Sequence, residues 1–235
     1  MSSAINTHQN SDRFWRRGEF YDSLRMDEHD DLERCTSRFS VPPGSTLFTE
    51  GESPKNVFIL VNGRAKLSVN LSDGKRFILR IAEPGEVLGL AFALTGNAYE
   101  VMAETLYLCH IALIKREEFL EFLQRHPPAL MSAARSLGNY YAQTSARFRT
   151  IGGTPSVATK LARLLLEFSA SGERTDHGTR LRLTLTHSEI GECIGMCRES
   201  VSRALCDFQR RKFIDLRGST LTITDRSSLE RCAST

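Results

Sequence analysis

The chain has 235 residues, of which 40% are hydrophobic and 25% charged; this is enough for two ordinary domains with real cores, and no apolar run approaches the roughly 18 to 20 residues of a membrane span. A net charge of +3 is too small to establish a nucleic-acid partner, so the placement of the charge has to decide. The polar N-terminus lacks the apolar core of a secretory signal, so a cytoplasmic, reducing setting is expected, in which six irregularly spaced cysteines are thiols or ligands rather than a disulfide framework.

Residues 1–25 show little periodicity and are expected to form a flexible tail, although Phe14, Trp15, Phe20 and Tyr21 could dock. Residues 26–126 read as a β domain. VFILVNGRAKLSV is a strand, an Asn62-Gly63 turn and a second strand, because Asn-Gly supplies the positive φ that a two-residue hairpin needs. NLSDGKRFILRIAEPGEVLGL repeats the theme, with Asp73-Gly74 and Pro84-Gly85 at its turns. Short antiparallel strands at this spacing predict a closed β roll or sandwich. ETLYLCHIALI is expected to be its last strand, followed by a short amphipathic helix over Lys115 to Gln124 that stops near Pro127-Pro128.

The period then changes. Leu130, Ala134, Leu137, Tyr141, Thr144, Phe148 and Ile151 recur at alternating intervals of four and three, which is the heptad seam of a coiled coil. A dimerisation helix over residues 127–153 is expected, in preference to an amphipathic helix packed only on its own domain. Gly152-Gly153-Thr154-Pro155 breaks it as a hinge.

Residues 154–235 open with a helix, VATKLARLLLEFSAS, and end with strand-like FIDLRGSTLTIT. Between them Thr186-His187-Ser188-Glu189 fits a capping box that starts a short helix, with Ile190 and Ile194 on its buried side. Gly195-Met196-Cys197 is a tight turn, and the helix beyond it divides cleanly. Val201, Leu205 and Phe208 make one stripe, while Arg198, Glu199, Ser202 and Arg203 share the other side. Two short helices about such a turn make a helix-turn-helix, and the strands about Arg217-Gly218-Ser219 supply a wing. Arginine can donate two hydrogen bonds to guanine and glutamate can accept from the cytosine amino group. The plainer alternative is a solvated face closed by a Glu199–Arg203 pair, worth only about 0.3–0.5 kcal/mol. The helix-turn-helix setting, with Arg210-Arg211-Lys212 behind it, favours DNA reading. The expected contact set is Arg198, Glu199, Ser200, Ser202 and Arg203, with Thr186, Ser188 and Arg217 around it. Cys193, Cys197 and Cys206 are read as scaffold residues, since a shared metal site needs converging sulfurs and usually a fourth ligand.

LTHSEIGECIGMCRESVSRALCDFQRRKFIDLRGSTLTI closely resembles the winged helix-turn-helix of the CRP/FNR transcription regulators, whose recognition helix carries R-E-S/T-V-x-R; the match is Arg198-Glu199-Ser200-Val201-Ser202-Arg203. Pro43-Gly44, LFTEGE, VFILVNGRAKL and PGEVLGL resemble the family's cyclic-nucleotide-binding-type roll, and the heptad helix falls where its dimer helix lies. The resemblance implies an α+β chain with an N-terminal antiparallel β roll (jelly-roll-like), a long dimerisation helix and a C-terminal winged helix-turn-helix. It further implies a homodimer on palindromic double-stranded DNA with TGTGA-like half-sites, with RNA polymerase as partner. Arg198 and Arg203 would contact guanines, Glu199 a cytosine, and Ser200 a phosphate or base edge.

In the cyclic-AMP-binding members a Gly-Glu pair opens a cassette that an Arg-Ser pair closes. Gly85-Glu86 are present, but Asn97-Ala98 or Tyr99-Glu100 stand where Arg-Ser would fall, and no Lys or Arg occurs between Ile81 and Ile114. A buried phosphate without a cation is poorly compensated, so ordinary cyclic AMP binding is not expected. Thr144-Ser145 resembles the family's adenine-contacting pair, although Thr144 also reads as a small heptad residue. The candidate pocket set is Gly85, Glu86, Asn97, Tyr99, Glu100, Tyr141, Thr144 and Ser145. Cys109 falls where the FNR branch has a cluster ligand, but an iron–sulfur cluster needs four thiolates and the N-terminal part has only Cys35. His110 alone is weak evidence for haem. No metal or cofactor is assigned. An unusual cyclic nucleotide, another small molecule, metal or redox sensing, and no effector at all stay open. No nucleophile–base pair or phosphate loop supports an enzyme.

Overall fold

A computed structural model of the chain describes residues 19–72, 74–151, 156–170 and 172–234, without the side chains of residues 19 and 146–151. The expected turn residue Asp73, the hinge at 152–155 and the tail through residue 18 lie outside the described residues, as do the side chains of Phe148 and Ile151. The chain divides into two compact units, one comprising residues up to 69 with 79–144, the other 70–78 with 145 onward.

Eight strands lie in the first unit apart from residues 70 and 76–78: β1 (Thr36–Val41), β2 (Thr46–Phe48), β3 (Asn56–Asn62), β4 (Ala65–Asn70), β5 (Arg76–Ala82), β6 (Val87–Leu88), β7 (Met102–Thr105) and β8 (Cys109–Lys115). They form two four-stranded sheets, ordered β1-β8-β3-β6 and β2-β7-β4-β5. The strands flanking Asn62-Gly63 are therefore not a hairpin pair: β3 runs antiparallel to β8 and β6, and β4 to β7. The turn carries the chain from one sheet to the other. ETLYLCHIALI is likewise two strands, β7 and β8, one in each sheet. The two corners lean on each other, since the Leu106 amide donates to the Arg64 carbonyl at 2.8 Å. A Cβ at Gly63, whose φ is +94°, would run into Cys109, so glycine serves both the backbone and the close approach there.

Phe58 and Leu60 of β3 point between the sheets with Phe48, Leu67 and Ile111. The alternate residues Val57 and Ile59 point out under the helices with Phe119 and Phe122. That is why VFIL is a continuous apolar run rather than an alternating one. The covering helices are α1 (Glu19–Asp22), α2 (Met26–Arg34), α3 (Leu90–Thr95), α4 (Arg116–Arg125) and α5 (Pro127–Ile151). The expectation of a flexible tail to residue 25 is corrected at its C-terminal end. Phe20 is only 1% exposed, Tyr21 and Leu24 are buried with it, and the Ser23 hydroxyl donates to Ser132 of α5 at 2.6 Å. Pro127-Pro128 ends α4 as expected and also opens α5, since proline is tolerated in a first turn where no amide partner exists.

The second unit contains α6 (Val157–Ser169), β9 (Glu173–Thr175), β10 (Gly178–Arg182), α7 (His187–Ile194), α8 (Arg198–Arg210), β11 (Ile214–Arg217), β12 (Thr220–Ile223) and α9 (Arg226–Ser234). The wing strands β11 and β12 belong to a four-stranded sheet ordered β11-β12-β10-β9. The β9–β10 pair and α9 carry no strong sequence signal and go beyond the expected elements. α9 is tied to α6 by the Arg163 guanidinium, which donates to the Ala233 carbonyl at 2.7 Å. Among the described residues no helix is long and apolar enough to cross a membrane.

Candidate nucleic-acid interface and β-roll cavity

The helix-turn-helix is built from local chemistry. Thr186 Oγ1 accepts from the Glu189 amide at 3.2 Å, and the Glu189 carboxylate accepts from the Thr186 amide at 2.9 Å, which starts α7. Gly195, at φ +67°, ends it in the left-handed conformation. One turn back, Gly191 lets the turn close: the Met196 amide donates to its carbonyl at 2.9 Å, and a Cβ at Gly191 would collide with the Met196 carbonyl oxygen. Cys197 is the N-cap of α8.

Val201, Leu205 and Phe208 bury one side of α8. Arg198, Glu199 and Arg203 are exposed on the other, as are Thr186 and Ser188 at the start of α7 and Arg217 in the wing. The Arg203 guanidinium turns toward Ser200 Oγ, at 3.4 Å, rather than closing the pair with Glu199. The Glu199 carboxyl is held below its ordinary range, first by its own backbone amide at the helix start, then by the Cys197 thiol, with smaller help from Arg198 and Arg203. At neutral pH it is an acceptor only. Arg217 pairs with Asp215 at 3.0 Å and stays exposed. Ser200 and Ser202 are the half-buried members of the expected set. The Ser202 hydroxyl lies 2.7 Å from Nδ1 of His187, so Ser202 braces α8 against α7. His187 is the partner that helical spacing within α8 does not reveal.

α5 has two faces. Ala129, Ser132, Ala133 and Ser136 are buried. Leu130 (45% exposed), Ala134, Leu137, Tyr141 (77%) and Thr144 lie on the more open side, with Leu137 and Thr144 half-buried.

A cavity of about 410 Å³ opens between the roll and α5. Phe48, Leu67, Leu90, Phe92 and Val101 wall it from the roll, and Leu137, Tyr140, Tyr141 and Thr144 from the helix. Of the expected pocket set, Glu100, Tyr141 and Thr144 reach it. Gly85 and Glu86 face a separate cavity of about 270 Å³, Asn97 is exposed, and Ser145 lines neither. Tyr99 is a core residue: its ring stacks on Phe48 at 4.1 Å and its hydroxyl donates to the Asn56 carbonyl at 2.9 Å. Burial pushes its pKa up to about 12. The cavity does have a cation, Arg80 on β5, one position before the stretch without Lys or Arg. Its guanidinium pairs with Glu86 and lies 4.2 Å from the Tyr140 ring centroid.

Cys109 and His110 point to opposite sides of β8. Cys109 is buried, which raises its thiol pKa, whereas His110 is exposed beside Ser40 at 3.0 Å. Among the described residues no group of three or more His, Cys, Asp or Glu side chains is placed to hold a metal ion.

Comparison with known proteins bears on both units. A family model described as a Crp-like helix-turn-helix domain matches residues 159–232, and one described as a cyclic nucleotide-binding domain matches residues 38–126. The chain is similar to a CRP-like cAMP-activated global transcriptional regulator of Mycobacterium tuberculosis, 28% identical over 194 residues, which covers 82% of this chain and 86% of that protein. It is also similar to the transcriptional activatory protein AadR of Rhodopseudomonas palustris, 29% identical over 80% of this chain and 77% of the relative. The solved structure of FixK2 from Bradyrhizobium japonicum shares the fold, with a TM-score of 0.75 at 21% identity over 85% of this chain and 98% of the other.

Proposed function

Given that the chain belongs to the CRP/FNR family and is a DNA-binding transcription regulator rather than an enzyme, we propose that it acts as a homodimer, paired through α5, on palindromic sites with TGTGA-type half-sites. In this reading residues 26–126 are the sensor, 127–153 the dimerisation helix and hinge, and 154–235 the DNA-binding domain. Arg198 and Arg203 contact guanines, Glu199 a cytosine, and Ser200 a phosphate or base edge. A cytoplasmic setting and RNA polymerase as partner follow from the family.

The observation that carries the reading is the open polar face of α8: Arg198, Glu199 and Arg203 are exposed above a buried Val201, Leu205 and Phe208 stripe. A helix so divided can enter a major groove with its scaffold intact, and a dimer presents two of them about 34 Å apart. Gel shifts on a TGTGA palindrome over a salt series test it, since phosphate contacts weaken as salt rises. Arg203→Ala should cost about 1–3 kcal/mol and relax discrimination at one guanine per half-site. Equal binding of matched and mismatched sites by parent and variant would show that Arg203 reads no base.

The roll is proposed not to take cyclic AMP in the usual manner, because Arg80, the one Lys or Arg among the residues lining the cavity beneath α5, is already paired with Glu86. A cyclic nucleotide held through Arg80 by a non-standard cassette is the competing reading, favoured by the family model over residues 38–126.

A further inference from the structure

We propose that the cavity beneath α5 takes a small aromatic or aliphatic carboxylate, gripped by Arg80, and that Arg80 passes its arrival to α5 through Tyr140. This rests on the reading that the roll does not bind cyclic AMP in the usual way, and names the ligand class that fits instead. About 410 Å³ lies within the ordinary range of ligand pockets, so the lining must discriminate. Phe48, Leu67, Leu90, Phe92, Val101 and Leu137 offer contact area to a ring or an alkyl chain. Apart from Arg80, only Glu100, Tyr140, Tyr141 and Thr144 bring polar side-chain atoms to the cavity, so a ribose and a purine would leave some of their many hydroxyls and ring nitrogens against apolar walls, and each such group is costly.

The polar end of the cavity is equally specific. Arg80 is mostly buried, as is its partner Glu86, and Glu86 is fixed by the amide of Glu83, which donates to it at 2.9 Å. Glu86 thus shows the group that this guanidinium accommodates, a carboxylate oxygen on its Nη1. A ligand carboxylate entering from the cavity competes with Glu86 for the same donors. Glu100, exposed where it lines the cavity, disfavours a second negative charge, so the ligand is a monoanion. The link to α5 is direct. The Arg80 guanidinium rests on the Tyr140 ring, and Tyr140 Oη accepts from the Val87 amide at 3.3 Å, next in sequence to Glu86. Drawing Arg80 off Glu86 disturbs the seat of Tyr140 on the helix whose open side carries Leu130, Leu137 and Tyr141.

Calorimetry and thermal melts of the full chain with benzoate, 2-naphthoate, octanoate, 2-naphthamide and cyclic AMP test this. At least one carboxylate should bind saturably and raise the melting temperature with its concentration, while the neutral amide and cyclic AMP leave it unchanged. Arg80→Gln should weaken that carboxylate by about tenfold or more, the loss of a charged hydrogen-bonding partner. Arg80→Lys, which keeps the charge without the fork, should fall between. Glu86→Gln should tighten binding, because it removes the competitor; a merely structural pair would give weakening in both variants. Tyr140→Phe, which keeps the ring under Arg80 and removes the Val87 contact, should diminish the effect of the carboxylate on DNA affinity by a larger factor than it diminishes carboxylate binding; equal factors overturn the relay through Tyr140. The proposal is overturned by silence from all three carboxylates, by an amide that binds as well, by unchanged affinity in a folded Arg80→Gln, or by weaker binding in Glu86→Gln. Silence with intact DNA binding overturns this proposal alone, whereas tight cyclic AMP binding overturns the reading of the roll on which it rests.

Discussion

Cys197 shows what one residue's position does to its chemistry. Its thiol is exposed at the N-cap of α8, 3.2 Å from Ser200 Oγ, and its pKa is lowered, first by that hydroxyl and then by the Ser200 amide. A thiol whose pKa falls holds more thiolate at a given pH below it, and the thiolate is what reacts. The pH profile of Cys197 alkylation, followed by mass spectrometry, should therefore sit below the ordinary thiol value of about 8.5, and Ser200→Ala should move it back up. An unmoved profile would mean that Ser200 does not set the reactivity. At this scale, the open polar face of α8 was legible in the sequence because Arg198, Glu199 and Arg203 are spaced along one helix. Arg80 was not, nor was the Ser202–His187 brace, since each depends on a meeting between different elements. Tyr99 falls in the expected ligand cassette by its place in the sequence, whereas Phe48 and the Asn56 carbonyl claim it for the core.

At the scale of the element, turns were easier to read than pairings. The capping box of α7 and the Gly195 turn are local, and they appear as the sequence predicts. The importance of Gly191 was hidden, because an interior helical glycine looks like a mere weakness until the Met196 carbonyl is seen against it. Gly191→Ala should accordingly destabilise the chain by about 1–3 kcal/mol, as an overpacked site does, although alanine is the better helix former. Urea denaturation checks the sign; a more stable variant would show that the turn can yield. The Asn62-Gly63 turn shows the limit of local reading from the other side. Its residues encode the reversal but not the destination of the strands, and β3 and β4 join different sheets because β8 and β7 are the partners available to them.

For the whole molecule, α5 has more apolar surface than its own unit covers. Tyr141, Leu130 and Met131 are among the exposed large hydrophobic residues, and all three lie on α5. Such a stripe on a long helix suits a second copy of the same helix. Leu137→Glu with Tyr141→Glu should turn a dimer into a monomer in sedimentation equilibrium and sharply reduce affinity for a palindrome, with little loss of helical signal. A double variant that stays dimeric would place the contact elsewhere. The sequence by itself determined the two-part architecture, the helix-turn-helix with the divided faces of α8, and the heptad run, because those features are written in spacings of a few residues and in turn chemistry. Only the tertiary structure decided that Phe20 and Tyr21 belong to the core, that Ser202 is a brace, that Gly85 and Glu86 stand outside the cavity beneath α5, and that Arg80 lies in its wall. Each of those depends on which distant side chains share a space, and close packing of the whole chain sets that.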